Sequence, residues 1–228
     1  MSQVDFEQVP YAEADLAGNP EPRCACLLLL DNSGSMSGQP LEELNVGLRQ
    51  FQDELASDDL AAKRVEVAIV TFGPVEVRMD FTGAQLFQAP RLSVAGDTPM
   101  GQAIETGLEM VRARKDAYKK NGIAYYRPWI FLITDGEPTD SYTAAVEALR
   151  DGQRRKHFEF FAVGVQGANM TVLKQMSGER APLNLKGLQF REMFRWLSNS
   201  LSAKSRSQVL DAPVAVENPT APQGWASI

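Results

Sequence analysis

Asp31, Ser33 and Ser35 form an Asp-x-Ser-x-Ser run directly after Leu27-Leu28-Leu29-Leu30. A carboxylate and two hydroxyls, spaced two residues apart, are hard oxygen donors. A turn that aims all three at one point suits a hard divalent cation such as Mg²⁺. A second apolar run, Trp129-Ile130-Phe131-Leu132-Ile133-Thr134, also ends in a carboxylate, Asp135, followed by Gly136. Thr98, within Gly96-Asp97-Thr98-Pro99-Met100-Gly101, brings another hydroxyl. Asp31, Ser33, Ser35, Thr98 and Asp135 are therefore candidates for one site.

Bringing them together requires elements that end at a common edge. Cys24 to Leu30 reads as a buried parallel strand, because it is apolar without alternation. Pro40 pre-sets a helix start, and Leu41, Leu44, Leu48, Phe51 and Leu55 recur at helical spacing. Val65 to Phe72 reads as a strand and Gly73-Pro74 as a turn. Val75 to Phe81 alternates apolar and polar residues, as a half-exposed antiparallel edge strand does. Thr98 is a suitable N-cap and Pro99 a suitable first residue for a long helix marked by Ile104, Leu108, Val111 and Tyr118. Trp129 to Thr134 is a buried strand, Ser141 to Leu149 a helix and Phe158 to Val165 a strand. Met170 to Met176 is a short helix, Leu183 to Leu185 a short strand, and Gln189 to Ala203 a final amphipathic helix. Strands alternating with helices predict a Rossmann-like, doubly wound α/β fold: a mainly parallel sheet with one antiparallel edge strand and helices on both faces. Open sheets of this kind build their sites outside the carboxyl ends of the strands, where Asp31 and Asp135 fall.

With 228 residues, 44% hydrophobic and 23% charged, the chain has the length and composition of one soluble globular domain. The expected division is an N-terminal arm over 1–22, a domain over 23–205 and a C-terminal tail over 206–228. A net charge of −6 argues against a protein that lives on nucleic-acid phosphates. No run approaches the length of a membrane span, and the acidic N-terminus lacks a signal-peptide core. Cys24 and Cys26 point to one face of a strand, where a disulfide would be strained. Two buried thiols and a cytoplasmic location are expected.

The pattern resembles the metal-ion-dependent adhesion site of the von Willebrand factor A domain family. The residues that carry the resemblance are Asp31-x-Ser33-x-Ser35, Thr98 within Gly-Asp-Thr-Pro-Met-Gly, and Asp135 within Ile-Thr-Asp-Gly-Glu-Pro-Thr-Asp. It covers roughly Arg23 to Ala203. The last motif is similar to the bacterial TerY-like branch associated with tellurium resistance and stress responses. The resemblance implies that Ser33 and Ser35 bind the metal directly, and that Thr98 binds it directly or through water. Asp31 and Asp135 would act largely through water and by hydrogen-bonding the inner ligands. A cation whose direct protein ligands are neutral stays electrophilic, and Mg²⁺ keeps exchangeable waters. The implied cofactor is Mg²⁺, with Mn²⁺ or Ca²⁺ as alternatives. The implied partner is a protein that supplies a Glu or Asp carboxylate to the metal. In some members of the family a shift of the C-terminal helix is coupled to the ligand shell.

Catalysis has weaker support. The single histidine, His157, precedes a strand and should lie at the edge opposite Asp31, away from Ser33 and Ser35. The alternative is an Mg²⁺-dependent phosphohydrolase or phosphotransferase with Asp31 as nucleophile. Haloacid-dehalogenase-type phosphatases want a second acid two residues on, and here that position is Ser33. Asp97, Glu137 and Asp140 are acids beside the site, read as solvated loop residues or helix caps. Arg112, Arg114, Lys115, Lys119, Lys120 and Arg127 form a basic stretch, read as a solvated face or a dock for an acidic partner.

Overall fold

The computed structural model describes residues 18–178, 180–207, 210 and 216–228. The expected arm over 1–22 therefore lies outside the described residues as far as residue 17. Among the described residues seven strands form one sheet: β1 (Cys24–Leu30), β2 (Val65–Phe72), β3 (Val75–Gly83), β4 (Trp129–Thr134), β5 (Glu159–Gly164), β6 (Leu183–Leu185) and β7 (Ala226–Ser227). Their order is β3-β2-β1-β4-β5-β6-β7. β2, β1, β4, β5 and β6 run parallel, and β3 is the expected antiparallel edge. The strand order reverses between β1 and β4, which places the crevice of a doubly wound sheet beside Asp31 and Asp135.

Among the described residues six α-helices cover the sheet: α1 (Gln39–Ser57), α2 (Ala61–Arg64), α3 (Met100–Lys120), α4 (Thr143–Arg154), α5 (Met170–Ser177) and α6 (Phe190–Arg206). The side-chain alternation of β1 divides the core in two. Cys24, Cys26, Leu28 and Leu30 face α1 and α6, where Leu44, Leu48, Phe51, Phe194 and Leu197 pack. Ala25, Leu27 and Leu29 face α3 and α4, where Ile104, Val111, Ala145 and Leu149 pack. The central strands are buried on both faces, so they lack polar alternation.

The segment expected as a tail returns to the sheet. β7 pairs antiparallel with β6. Trp225 is buried against Trp196, with ring centroids 5.6 Å apart. The Trp196 indole N–H donates to the Glu217 carbonyl at 2.7 Å. A two-residue strand has no periodicity to read, so only its partner reveals it.

Cys24 and Cys26 are free, buried and on one face. Burial pushes the Cys24 thiol up to about 12, and Cys26 well above its ordinary value. The thiolate is the reactive form. Neither cysteine should therefore react with Ellman's reagent at pH 8 in the folded protein, and both should react in guanidinium. Rapid labelling of the native protein would contradict this burial.

A charged cluster lies beneath the sheet's other end. Glu66 of β2 is 1% exposed. It accepts from Arg23 Nε at 3.1 Å, from Arg114 Nε at 2.7 Å and from the Tyr118 hydroxyl. Arg114 thus departs from the expected solvated basic face. Ile104, Gly107, Val111, Arg114 and Tyr118 are all on the buried side of α3, and the guanidinium is drawn to Glu66. Burial, and then the Glu66 charge, push the Tyr118 phenol well above its ordinary value, so it remains a donor.

Candidate metal centre

The loop after β1 begins with a buried carboxylate held through both of its oxygens. Asp31 is fully buried, and its N–H extends the ladder to Ile133 O at 2.9 Å. Its Oδ1 accepts from Ser33 N at 2.9 Å, which folds the next two residues into an Asx turn. Its Oδ2 accepts from Thr134 Oγ1 at 2.5 Å. A 3-10 turn over Gly34–Met36 follows, and the buried Met36 side chain anchors it in the core. The turn leaves Ser33 and Ser35 on one side, with their hydroxyl oxygens 3.1 Å apart. Ser35 Oγ donates to Asp135 Oδ1 at 2.6 Å. The loops after β1 and β4, a hundred residues apart in sequence, therefore meet through hydroxyls and carboxylates.

Thr98 reaches the same place by a different route. Residues 84–99 connect β3 to α3 with no helix or strand of their own. Buried Asn45 of α1 holds this segment, accepting from Leu92 N at 2.7 Å and donating to Leu92 O at 3.0 Å. Asn32 Nδ2 donates to Ser93 O at 2.9 Å, and Ala95 N to Asn32 O at 2.8 Å. Thr98 N then donates to Thr139 Oγ1 at 3.1 Å, and Thr139 N returns a bond to Thr98 O at 2.9 Å. The Thr98 hydroxyl faces Gly136. A Cβ on Gly136 would lie 3.3 Å from Thr98 Oγ1 and 3.6 Å from Asp31 Oδ2. Glycine at 136 keeps open the space that these two oxygens border.

All five sequence candidates are thus brought to the carboxyl edge of β1 and β4, in two linked groups. Ser33, Ser35 and Asp135 form a hydrogen-bonded chain, and Asp31 and Thr98 flank the gap at Gly136. The donor set is five side chains that offer only hard oxygens, which fits a hard divalent cation. Burial raises the Asp31 carboxyl above its ordinary value, and the Asp135 charge adds to this. Hydrogen bonds from Ser33 and Thr134 counter it. A cation at the gap would relieve the repulsion between the two acids.

Thr98 does not cap α3, contrary to expectation. The helix begins at Met100, and its free N–H groups at Gly101 and Gln102 donate to Asp140 Oδ1 and Oδ2 at 3.0 and 2.8 Å. A carboxylate answers the positive end of the helix better than a hydroxyl does, which leaves Thr98 Oγ1 for the gap. Asp140 is thus a cap supplied from another loop. Asp97 and Glu137 are exposed, and Glu137 accepts from Asn169 Nδ2 at 2.8 Å. Two positioning residues were not singled out by sequence: Thr134, which orients Asp31, and Thr139, which orients Thr98. The available signal for Thr134 was a hydroxyl ending a fully apolar strand, where a buried polar group needs a partner. His157 lies at the far end of the sheet, lining a cavity with Lys115 and Phe158. No Ser-His-Asp constellation forms with Ser33 or Ser35.

Fold and site together define a class: an α/β domain with a hydroxyl-and-carboxylate site at the carboxyl edge of its sheet. The chain belongs to the von Willebrand factor type A domain family, whose model matches residues 27–190. It is 25% identical to mouse collagen alpha-5(VI) chain over 189 residues, covering 78% of this chain and 7% of that protein. The chain therefore spans a small part of that relative's length. Among solved structures, it is similar to the vWF domain of the pilus tip protein Mfa5 from Porphyromonas gingivalis. That match has a TM-score of 0.61 and 11% identity, and covers 83% of this chain and 98% of the other. It is also similar to mussel byssus proximal thread matrix protein 1, in a form with a zinc-occupied MIDAS motif. There the TM-score is 0.52 and the identity 14%, covering 81% of this chain and 49% of the other. Among the described residues no helix is long and apolar enough to cross a membrane.

Proposed function

We propose that this chain is a metal-dependent protein-interaction module rather than an enzyme. In this reading Ser33 and Ser35 hold a divalent cation directly, and Thr98 holds it directly or through water. Asp31 and Asp135 orient these hydroxyls and balance the charge. The observation that carries the reading is the hydrogen-bonded chain from Ser33 Oγ through Ser35 Oγ to Asp135 Oδ1, which joins two loops at the reversal of strand order. Mg²⁺ fits best, because small neutral oxygen donors leave it its waters, and Mn²⁺ and Ca²⁺ are the alternatives. Bound there, the cation supplies an electrophilic position that a partner's Glu or Asp carboxylate completes. Zinc in the MIDAS motif of the mussel protein supports a divalent ion at this type of site. Ser33, standing where a phosphatase would place its second acid, disfavours the phosphohydrolase alternative.

The setting we favour is a cytoplasmic adaptor in a bacterial stress-response or tellurium-resistance system. The Thr134-Asp135-Gly136-Glu137-Pro138-Thr139-Asp140 motif and the two buried free thiols support that setting. We retain 1–22 as an arm and 23–205 as the domain, with a tail over 206–228 whose end docks back on that domain through β7 and Trp225.

The test is affinity capture by the wild-type chain and by Ser33→Ala/Ser35→Ala, each with Mg²⁺ or with EDTA, beside a direct Mn²⁺ titration. The double variant is expected to bind Mn²⁺ at least about a hundredfold more weakly. Ser35 is exposed but Ser33 is buried, so a melting curve close to the wild type's is the check that the variant stays folded. The wild type should capture a partner in Mg²⁺ and lose it in EDTA. A partner held equally by both proteins in both conditions would remove the metal from that contact.

A further inference from the structure

At the end of the sheet opposite the candidate metal centre, the starts of β4 and β5 border a cavity of about 600 Å³. Arg127, Arg150, Arg154, Lys156 and Arg180 line it, and among the described residues Glu159 is the lone lining carboxylate, engaged by Arg127 at 2.6 Å and Arg180 at 2.8 Å. Phe158 forms part of its wall and is shared with a second cavity of about 400 Å³, where Arg112, Lys115 and Lys119 meet His157. The acids of the second cavity are already engaged: Asp116 by Lys119 at 3.2 Å and Asp151 by Arg154 at 2.6 Å. A cationic groove therefore runs past Phe158 in a chain whose net charge is −6. His157 registers this field. Its pKa is pushed below the ordinary value, first by burial and then by Lys115 and Arg155.

A second observation points the same way. Lys156 has φ 57°, and among the described residues it is the one non-glycine with positive φ. It follows the Arg155 C-cap of α4, and its N–H donates to Gln153 O at 2.9 Å. His157 N donates to Gly152 O at 2.8 Å, completing a left-handed helix end of the kind that glycine usually occupies. A lysine in this conformation is disfavoured relative to glycine, and its side chain lines the cavity. Strained backbone of this sort gathers where a side chain has work to do.

The lining chemistry selects the ligand. Arginine dominates, and its planar fork suits carboxylates and other oxyanions. Arg150 uses its Nε on Gln175 O at 3.0 Å, and among the described residues its terminal guanidinium nitrogens have no hydrogen bond. Phe158 and Phe160 are 6% and 1% exposed, so neither offers a ring face on which bases could stack. We propose that this groove is a second binding site, at the opposite pole from the metal centre, that takes an acidic peptide segment of a partner protein. The site is independent of the metal. With the metal centre at the other pole, about 20 Å away along β4, the module bridges two acidic partners.

The test uses the full chain and a fluorescein-labelled decaglutamate peptide, followed by anisotropy in EDTA, so that no metal can recruit the carboxylates. Saturable binding is expected at about 20 mM salt, weakening roughly tenfold or more at physiological ionic strength. Arg150→Glu/Lys156→Glu changes two exposed residues and should reduce affinity at least about tenfold, whereas Ser33→Ala/Ser35→Ala should bind as wild type does. Lys156→Gly should raise the melting temperature by roughly 2–4 °C while weakening the peptide. The proposal is overturned by absent binding at low salt, by equal binding to Arg150→Glu/Lys156→Glu, or by tighter binding of a single-stranded oligonucleotide of equal charge. Each of these outcomes leaves the metal titration unaffected, so the two sites are judged separately.

Discussion

Glu66→Ala should destabilise the protein by about 3–5 kcal/mol, the cost of removing one partner from a buried ion cluster. The carboxylate is the common acceptor for Arg23, Arg114 and Tyr118, and both guanidiniums are nearly inaccessible to water. Without it, two cations stay buried with no counter-ion, on the face of the sheet where α3 packs. For a chain of 228 residues this corresponds to a fall in melting temperature of roughly 6–20 °C. Thermal and urea denaturation would measure it. Replacing the whole cluster by Arg23→Met/Glu66→Leu/Arg114→Met should recover much of the loss, because the desolvation cost then disappears with the charges. A shift of less than about 2 °C for Glu66→Ala would show that water reaches the cluster.

Gly73→Ala should damage the candidate metal centre although residue 73 contributes no donor to it. A Cβ there would lie 2.3 Å from Ala95 O and 2.6 Å from Asn32 Oδ1. The obstacle is backbone, and it is already committed, since Ala95 N donates to Asn32 O. Gly96, at φ 51°, closes the same contact from the other side, and a Cβ on it would lie 2.1 Å from Gly73 O. The β2–β3 turn, the segment before Thr98 and the Asp31–Ser33 loop are thus packed backbone on backbone. A methyl group at 73 should cost about 1–3 kcal/mol and should lower Mn²⁺ affinity as Ser33 and Thr98 move apart. Gly34→Ala, inside the Asp-x-Ser-x-Ser run, should by contrast stay within about 0.5 kcal/mol of wild type. The nearest atom to a Cβ at 34 is Gly96 O, 4.0 Å away. The paired comparison, read by urea melts and metal titration, is overturned if Gly34→Ala is the more harmful of the two.

Most of the fold was legible because its signals are local. β1, β2 and β4 are apolar runs, and α1 carries its stripe at Leu41, Leu44, Leu48, Phe51 and Leu55, all buried. The carboxylates after β1 and β4 were legible for the same reason, because a polar residue that ends a buried run must lie at a sheet edge. The cap on α3 was not legible. Thr98-Pro99 carries a good local start signal, yet Asp140 supplies the bond from a loop 38 residues downstream of Gln102. Arg114 was misread because it sits in a basic stretch. Its spacing from Val111 and Tyr118 put it on the buried stripe, but only Glu66 across the interface makes a buried guanidinium tolerable.

The sequence by itself determined the fold class, the family resemblance and the oxygens available at the site. Periodicity places residues on faces, and motif spacing places donors at strand ends. It could not determine how Thr98 reaches the gap, since residues 84–99 have neither helix nor strand to give them a period. That was decided by long-range contacts: Asn45 on Leu92, Asn32 on Ser93, and Gly73 against Ala95. The tertiary structure alone also gathered a basic groove at the opposite pole, drawing on α3, α4, the entry to β4 and Arg180. Local pattern reports which way a side chain points. Only packing reports which distant side chains share one volume of space.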